Sequence, residues 1–246
     1  MKLVILAGGQ RSTITGNEEN IPKPMIEIGG RPLLWHIMKH ASLCGIRDFI
    51  ICGGYKIENI KEYFRDFYIY QSDIAVNTKT NRIEILKDYS EDWNVIVADT
   101  GVVSYPIERV KKVLKYVGEE PFLLTYGDCL TDLPLDKFML EFLRSKTEFA
   151  VALAHPLGRK MPISYSLLND SEKHENEVWT SAGIFASSKR FFSQVNCDGV
   201  IEEVLRDKRT SDVHLYKHES YWNTIETLRD KVASEQIWEK GEAPWI

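Results

Sequence analysis

The chain has 246 residues, 43% of them hydrophobic and 11% aromatic, and a net charge of −5. That is enough for one large packed domain and too short for two with linkers, and the charge leaves no overall basic field for nucleic acid. Cys44, Cys52, Cys129 and Cys197 lie far apart without a C-x-x-C pair, which argues against a disulfide framework or a thiolate zinc site and for a reducing, cytoplasmic setting.

From the N-terminus, Met1-Lys2 leads straight into an apolar run at residues 3–6 that reads as a buried parallel strand. The run is much shorter than a signal peptide's apolar region, and nothing downstream approaches the roughly 20 apolar residues of a membrane span, so a soluble protein is expected. Ala7-Gly8-Gly9 then forms a turn able to offer backbone amides to a phosphate. The polar loop after it closes on Pro22-Lys23-Pro24, where two prolines fix the backbone around Lys23 and suit it to an anionic substrate. Taken alone, the stretch also fits an ordinary turn with an exposed lysine.

Pro32 opens a helix with Leu34, Ile37, Met38 and Ala41 on one face and Gly45 at its stop. A strand at residues 49–52 ends in Gly53-Gly54, and Ile57, Ile60 and Phe64 mark the next amphipathic helix. This alternation predicts a parallel sheet with right-handed crossovers and ligands at the carboxyl ends of its strands. Runs at residues 74–76 and 83–85 around Thr78-Lys79-Thr80-Asn81 predict a β hairpin, a candidate oligomer contact. Residues 95–97 form a strand ending in Asp99-Thr100-Gly101, and Pro106 starts a helix through Val110, Val113 and Leu114. A strand at 122–124 leads to Tyr126-Gly127-Asp128, followed by a helix at 135–143 and a strand at 149–153. Residues 155–178 are polar and turn-rich, as in a lid or a substrate-facing insertion. After a strand at 180–185, the last helix, 226–238, carries Leu228, Val232 and Ile237 to cover one face of the sheet.

The expected fold is therefore α/β: a single Rossmann-like three-layer domain over residues 1–246, with a mostly parallel central sheet and a small β hairpin/lid insertion. His36 and His40, one helical turn apart, are either a metal pair without a third ligand or plain helix histidines, and His214 and His218 share one strand face. Asp132 reads as a cap for the following helix, and Trp93, Trp222 and Trp238 as core or interface material. AGGQRSTI is not G-x-G-x-x-G, which weighs against a dinucleotide-binding dehydrogenase.

LAGG at the N-terminus, KPM at residues 23–25, the run EIGGRPLLWHIMKHASLCGIRDFIICGGYK after it, and the terminal ETLRDK and WEKGEAPW resemble the sugar-phosphate nucleotidylyltransferases. The resemblance runs nearly end to end and is strongest to their glucose-1-phosphate cytidylyltransferase branch. It implies transfer of CMP from CTP to a phosphorylated acceptor with release of pyrophosphate. It also implies Mg2+ at the phosphates, a nucleotide-binding half over about residues 1–130, an acceptor-binding half over about 131–246, and a homo-oligomer without nucleic-acid or membrane partners. Residue by residue, the resemblance gives Lys23 the neutralisation of the nucleotide phosphates and Asp128, in TYGD, the metal. The second metal carboxylate falls on Glu226, where the family has an aspartate. Nucleotide contacts fall on Leu6, Ala7, Gly8, Gly9, Thr100 and Arg109, and acceptor contacts on Tyr126, Arg159, Lys173 and Gly183.

The departures are local. After AGG the family reads x-G-T-R, whereas this chain has Gln10-Arg11-Ser12-Thr13, so a catalytic, phosphate-binding role for Arg11 requires its guanidinium to replace an arginine lost two positions on. The family's TGGR becomes Pro106-Ile107-Glu108-Arg109, which admits a second reading: a nucleotide-binding regulatory protein that has lost catalysis. Met161 and Ala182 stand where the family has small residues near the acceptor, and the segment between Lys160 and Gly183 is shorter. These changes predict an acceptor other than glucose 1-phosphate, a non-sugar or amino-acid-derived phosphate, with capsule or surface-polymer decoration as the destination that relatives' products suggest.

Overall fold

The computed structural model describes residues 1–9, 21–155, 179–206 and 212–246. The first crossover unit runs β1 (Lys2–Ala7), the short pair β2 (Glu27–Ile28) and β3 (Arg31–Pro32), α1 (Leu33–Leu43) and β4 (Asp48–Gly53). Next come α2 (Ile57–Arg65), α3 (Phe67–Tyr70), the hairpin β5 (Ser72–Asn77) and β6 (Arg82–Asp88), β7 (Asn94–Asp99), α4 (Pro106–Val117) and β8 (Phe122–Tyr126). The remainder is β9 (Cys129–Thr131), α5 (Leu135–Ser145), β10 (Phe149–Ala154), β11 (Thr180–Ser187), α6 (Lys189–Gln194), β12 (Val213–His218), β13 (Trp222–Thr224) and α7 (Leu228–Glu239). Single 3-10 turns occupy Lys23–Met25 and Ile201–Leu205.

Seven strands form the central sheet in the order β12-β10-β11-β8-β1-β4-β7. All are parallel except β11, which runs antiparallel to both β10 and β8. The chain moves outward from β1 to β4 and β7, then returns to β8 on the other side of β1, so the strand order reverses beside β1. In such a sheet a crevice opens at the carboxyl ends of the strands on either side of the reversal. Register brings those ends level: Ala7 pairs with Gly53, Gly53 with Asp99, and Leu6 with Tyr126.

Strands buried on both faces are written as continuous apolar runs, and β1, β4 and β8 follow that pattern. Against one face pack Leu34, Ile37 and Met38 of α1 with Phe138 and Phe142 of α5. The other face takes Val110, Val113 and Val117 of α4 with Phe191 and Phe192 of α6. Helix α4 starts where the sequence predicts because Pro106 supplies the φ of a first helical residue and the Glu108 carboxylate accepts the Tyr105 amide. Its buried positions recur every three or four residues and aim one stripe at the sheet. The predicted α/β three-layer fold is the one observed.

Two expectations change. Helix α7 does not cover the sheet with Leu228 and Val232, which are 58% and 42% exposed. It lies on the β2–β3 pair instead, with Trp238 edge-on to Trp35 and His36. Asp132 does not cap α5, whose N-cap is Pro134; it accepts hydrogen bonds from His218 and Ser220. Strand β12 carries the face that His214 and His218 are expected to share and stands at the sheet edge, with Val213 buried and Leu215 and Tyr216 half-buried. No helix among the described residues is long and apolar enough to cross a membrane.

Candidate active site

At the crevice beside β1 lies a cleft of about 260 Å³ whose floor is Leu6, Gly8 and Gly9 from β1 and its turn, and Tyr126, Gly127 and Asp128 from the end of β8. Lys23 and Pro24 form one wall and residues 102–106 the other. Lys23 reaches the floor because its 3-10 turn is closed by Met25 N–H to Pro22 O and Ile26 N–H to Lys23 O. There its Nζ donates to Asp128 Oδ2 at 2.5 Å, with both side chains about a quarter exposed. Gly127 N–H to Leu6 O ties the Asp128 turn to β1. A cation and a carboxylate thus face each other above a bed of glycine backbone.

Arg109 comes up from the first turn of α4 beneath that bed and is 4% exposed. Its Nη1 donates to Thr100 Oγ1 and Gly101 O at 2.7 Å each and to Gly53 O at 3.2 Å, and Nη2 donates to Val102 O. Thr100, itself buried, donates its hydroxyl to Gly53 O. Arg109 lines the cleft and Thr100 is buried beside it, with their described hydrogen bonds directed to the ends of β4 and β7. Burial pulls the Arg109 pKa down. A Cβ at Gly8 would lie 2.0 Å from Arg109 Nη1, so glycine is the only residue that admits this packing without movement.

At the end of β8, the Tyr126 hydroxyl donates to Glu202 Oε2 at 2.8 Å and accepts from Ile201 N–H. Burial, then the Glu202 charge, pushes the Tyr126 pKa up. Gly183 holds φ at +69°, and a Cβ there would press on the Tyr126 ring and Cys129 Sγ. Ala182 is fully buried in the core, so its methyl group does not narrow the cleft; this part of the argument against glucose 1-phosphate has no structural support. Arg11, Arg159, Met161 and Lys173 lie outside the described residues.

Glu226 arrives through an element the sequence reading missed, the two-stranded pairing of β9 with β13, in which Thr224 faces Cys129. Ile225 N–H donates to Asp128 O at 3.0 Å, which sets Glu226 beside the Asp128 turn. The Glu226 carboxylate is exposed and accepts only the Thr224 hydroxyl among the described residues. No three His, Cys, Asp or Glu side chains converge there or elsewhere among the described residues. Two hard carboxylates with room for phosphate oxygens and water match the coordination habit of Mg2+, which usually keeps several waters and one or two carboxylates.

Residues 3–171 match the model of the MobA-like NTP transferase domain. Over its whole length the chain is 38% identical to glucose-1-phosphate cytidylyltransferase of Salmonella typhimurium, covering 98% of that protein, and 30% identical to a probable glucose-1-phosphate cytidylyltransferase of Bacillus subtilis, covering 99%. The chain belongs to the sugar-phosphate nucleotidylyltransferases. Solved structures agree in fold: HddC from Yersinia pseudotuberculosis complexed with GMP-PN superposes with a TM-score of 0.72 at 18% identity, over 96% of this chain and 99% of that one. UDP-glucose pyrophosphorylase complexed with UDP-glucose gives 0.70 at 14% identity, over 98% of each chain.

As a member of this family the protein is a nucleotidyltransferase, and three features of its site escaped the sequence. Glu202 binds Tyr126 from 76 positions away, with no local signal. Gly54 shares the Arg109 packing space with Gly8, and the doubled glycine of Gly53-Gly54 was the available clue. The rim residues Val102, Val103 and Tyr105 are exposed beside the cleft, legible only as a break in helix and strand periodicity. His36 and His40 are structural. His36 donates Nε2–H to Ile28 O and accepts Trp245 Nε1–H at Nδ1, while His40 bonds Leu133 O.

Proposed function

We propose that the protein is a Mg2+-dependent cytidylyltransferase that moves CMP from CTP to a small phosphorylated acceptor, releasing pyrophosphate in the cytoplasm. The carrying observation is the Lys23–Asp128 pair over the Gly8-Gly9 turn, with Glu226 delivered beside it. Nucleotidyl transfer needs cations where two anionic phosphates approach and where pyrophosphate departs. Lys23 is the positioned protein cation; Asp128 and Glu226 are the two carboxylates that would hold Mg2+, which would polarise the phosphates. Gly8 and Gly9 let the triphosphate lie against backbone, with Leu6, Ala7 and Thr100 shaping that end of the cleft. Arg11 adds its guanidinium to the leaving phosphates.

CTP as donor is supported by the 38% identity to a cytidylyltransferase. The acceptor-binding half, about residues 131–246, would contribute Arg159, Lys173 and Gly183, the last of these packed against the Tyr126 ring. An acceptor other than glucose 1-phosphate, a non-sugar or amino-acid-derived phosphate used in capsule or surface-polymer decoration, is supported by the changed acceptor-side sequence at Met161. The same full-length identity favours a second reading, synthesis of CDP-glucose from glucose 1-phosphate. A homo-oligomer is supported by the β5–β6 hairpin. Ile74 pairs with Ile85 and Val76 with Ile83, giving one aliphatic face that no described part of the chain covers.

Incubation with each of four nucleoside triphosphates against a panel of phosphorylated small molecules, reading pyrophosphate, tests the proposal. CTP with a non-glucose acceptor should exceed every other pair. A kcat/KM for glucose 1-phosphate of roughly 10⁴ M⁻¹s⁻¹ or more would establish the second reading, and no pyrophosphate with any pair would favour a nucleotide-binding regulator.

A further inference from the structure

The floor and one wall of the catalytic cleft belong to different elements: Tyr126 ends β8, whereas residues 102–106 lead into α4. Residues 199–202 join the two. At one end the Tyr126 hydroxyl gives its single proton to Glu202 Oε2 at 2.8 Å and takes the Ile201 N–H at 3.1 Å. At the other, Ile107 N–H in the first turn of α4 donates to Gly199 O at 3.1 Å. Lys111 adds a longer contact from α4, its Nζ standing 3.5 Å from Cys197 O and 3.8 Å from Asp198 Oδ1.

Both anchors are held in place. Gly199 has φ at +136°, where a side chain is strained, and a Cβ there would stand 2.5 Å from Glu203 Oε2. The Tyr126 ring meets Phe185 edge-on with centroids 6.1 Å apart, and Gly183 leaves it the space that a Cβ would take. Ile201, Val204 and Leu205 are buried in the same apolar cluster as Ile107 and Val110 of α4. Glu202 differs from these neighbours: it is half-buried, and the Tyr126 hydroxyl is its side chain's only hydrogen-bond partner among the described residues. A carboxylate at that depth adds nothing to the apolar core, whereas a charge-assisted hydrogen bond fixes where the ring stands.

We propose that Glu202 is a positioning residue of the catalytic cleft: by holding the Tyr126 hydroxyl against residues 199–201 it sets the separation between the floor and the wall that leads into α4, and so the fit of the nucleoside triphosphate. This role rests on the nucleotidyl transfer proposed above, and Glu202 itself touches no reacting atom. A wall set wrongly weakens the bound triphosphate and the transition state alike, which raises KM rather than lowering kcat. A merely structural loss reduces the amount of folded enzyme instead, and lowers kcat at constant KM.

The test is pyrophosphate release from CTP with the best acceptor of the panel, together with thermal midpoints, in the wild-type protein, Glu202→Ala, Glu202→Gln, Tyr126→Phe and the double variant of Tyr126→Phe with Glu202→Ala. Glu202→Ala and Tyr126→Phe should each raise the KM for CTP at least about fivefold and change kcat less than about twofold. The double variant should be no worse than the worse single one, because both changes remove the same bond. Glutamine keeps a carbonyl acceptor for the Tyr126 hydroxyl, so Glu202→Gln should stay within about twofold of wild type. An unchanged KM in Glu202→Ala, multiplied losses in the double variant, a glutamine variant as impaired as the alanine one, or a kcat that falls with the midpoint at constant KM would overturn the proposal. Calorimetric titration of the same proteins with the tightest-binding of the four nucleoside triphosphates reads the differences as Kd without turnover. Wild-type protein that binds a triphosphate but releases no pyrophosphate therefore fails the transfer reading, while the Kd values still decide the role of Glu202; failure to bind any triphosphate would overturn both.

Discussion

Gly8→Ala should be among the costliest single-methyl additions in the protein, and the structure gives the size. Gly8 is not in the left-handed region, so alanine meets no backbone penalty there. The whole effect is steric: the added Cβ would stand 2.0 Å from Arg109 Nη1 and 2.4 Å from Cζ, where ordinary contact is about 3.5 Å. The guanidinium must retreat by roughly 1.5 Å, enough to break its 2.7 Å bonds to Thr100 Oγ1 and Gly101 O. Hydrogen bonds to charged groups contribute about 1.5–3 kcal/mol each, so losing both should lower stability by about 3–6 kcal/mol, a large fraction of the 5–15 kcal/mol typical of a domain. Urea unfolding followed by tryptophan fluorescence measures it, and a double-mutant cycle isolates it. In an Arg109→Ala background the same methyl group loses its three nearest clashes, so the coupling energy should be at least about 2 kcal/mol. Wild-type-like stability of Gly8→Ala, within about 0.5 kcal/mol, would refute the account of Arg109 as a strut under the glycine turn.

Asp128→Asn should lower turnover at least about 100-fold by removing a carboxylate from the metal; near-normal pyrophosphate release with unchanged Mg2+ dependence removes Asp128 from the site. Lys23→Ala should depress kcat more than it raises KM for CTP, because charge on the phosphates grows toward the transition state, and a pure KM effect would make Lys23 a ground-state binder. Val76→Glu with Ile83→Glu should dissociate the proposed homo-oligomer in analytical ultracentrifugation without lowering the unfolding midpoint, since both side chains are about half exposed; an unchanged sedimentation coefficient refutes the hairpin as the contact. Burial lowers His36 from 6.5 to about 4, so below pH 6.5 the unfolded chain takes a proton that the folded one refuses until about pH 4. Stability should therefore fall by up to ~3 kcal/mol between those pH values, at about 1.4 kcal/mol per unit, and fall less in His36→Gln; equal slopes in chemical denaturation would refute it.

Short-range chemistry made most of the fold legible. Apolar runs bounded by glycine gave β1, β4 and β8, and Pro32 and Pro106 marked the starts of α1 and α4 within a residue. What stayed hidden depends on pairing across long separations. Glu226 could be assigned only by resemblance, because its place beside Asp128 comes from a three-residue strand pairing nearly 100 positions apart. Likewise the resemblance alone singles out Arg109, and only the packed structure reveals that Gly8 and Gly54 make room for it beneath the cleft. Leu228 and Val232 misled for the converse reason: an apolar spacing at helical period says which residues share a face, and α7 turns that face away from the sheet.

The Lys23–Asp128 ion pair suggests how the proposed site avoids committing itself before its nucleotide arrives. With each side chain only about a quarter exposed, neither charge is fully hydrated, and each neutralises the other at 2.5 Å. A triphosphate entering over Gly8 and Gly9 offers Lys23 a higher density of negative charge than one carboxylate does. As Lys23 turns to the phosphates, Asp128 Oδ2 is released in the place where its turn, held by Gly127 N–H to Leu6 O and Ile225 N–H to Asp128 O, keeps it fixed. One rearrangement of a lysine side chain therefore supplies both the cation for the phosphates and the free carboxylate for the metal, with the backbone on either side unmoved. On this account Lys23→Ala exposes an unpaired Asp128, and should raise the affinity for Mg2+ in the absence of nucleotide even as it lowers turnover. Calorimetric titration of Mg2+ into the nucleotide-free variant checks this, and an affinity equal to or below wild type would show that Lys23 does not guard the carboxylate.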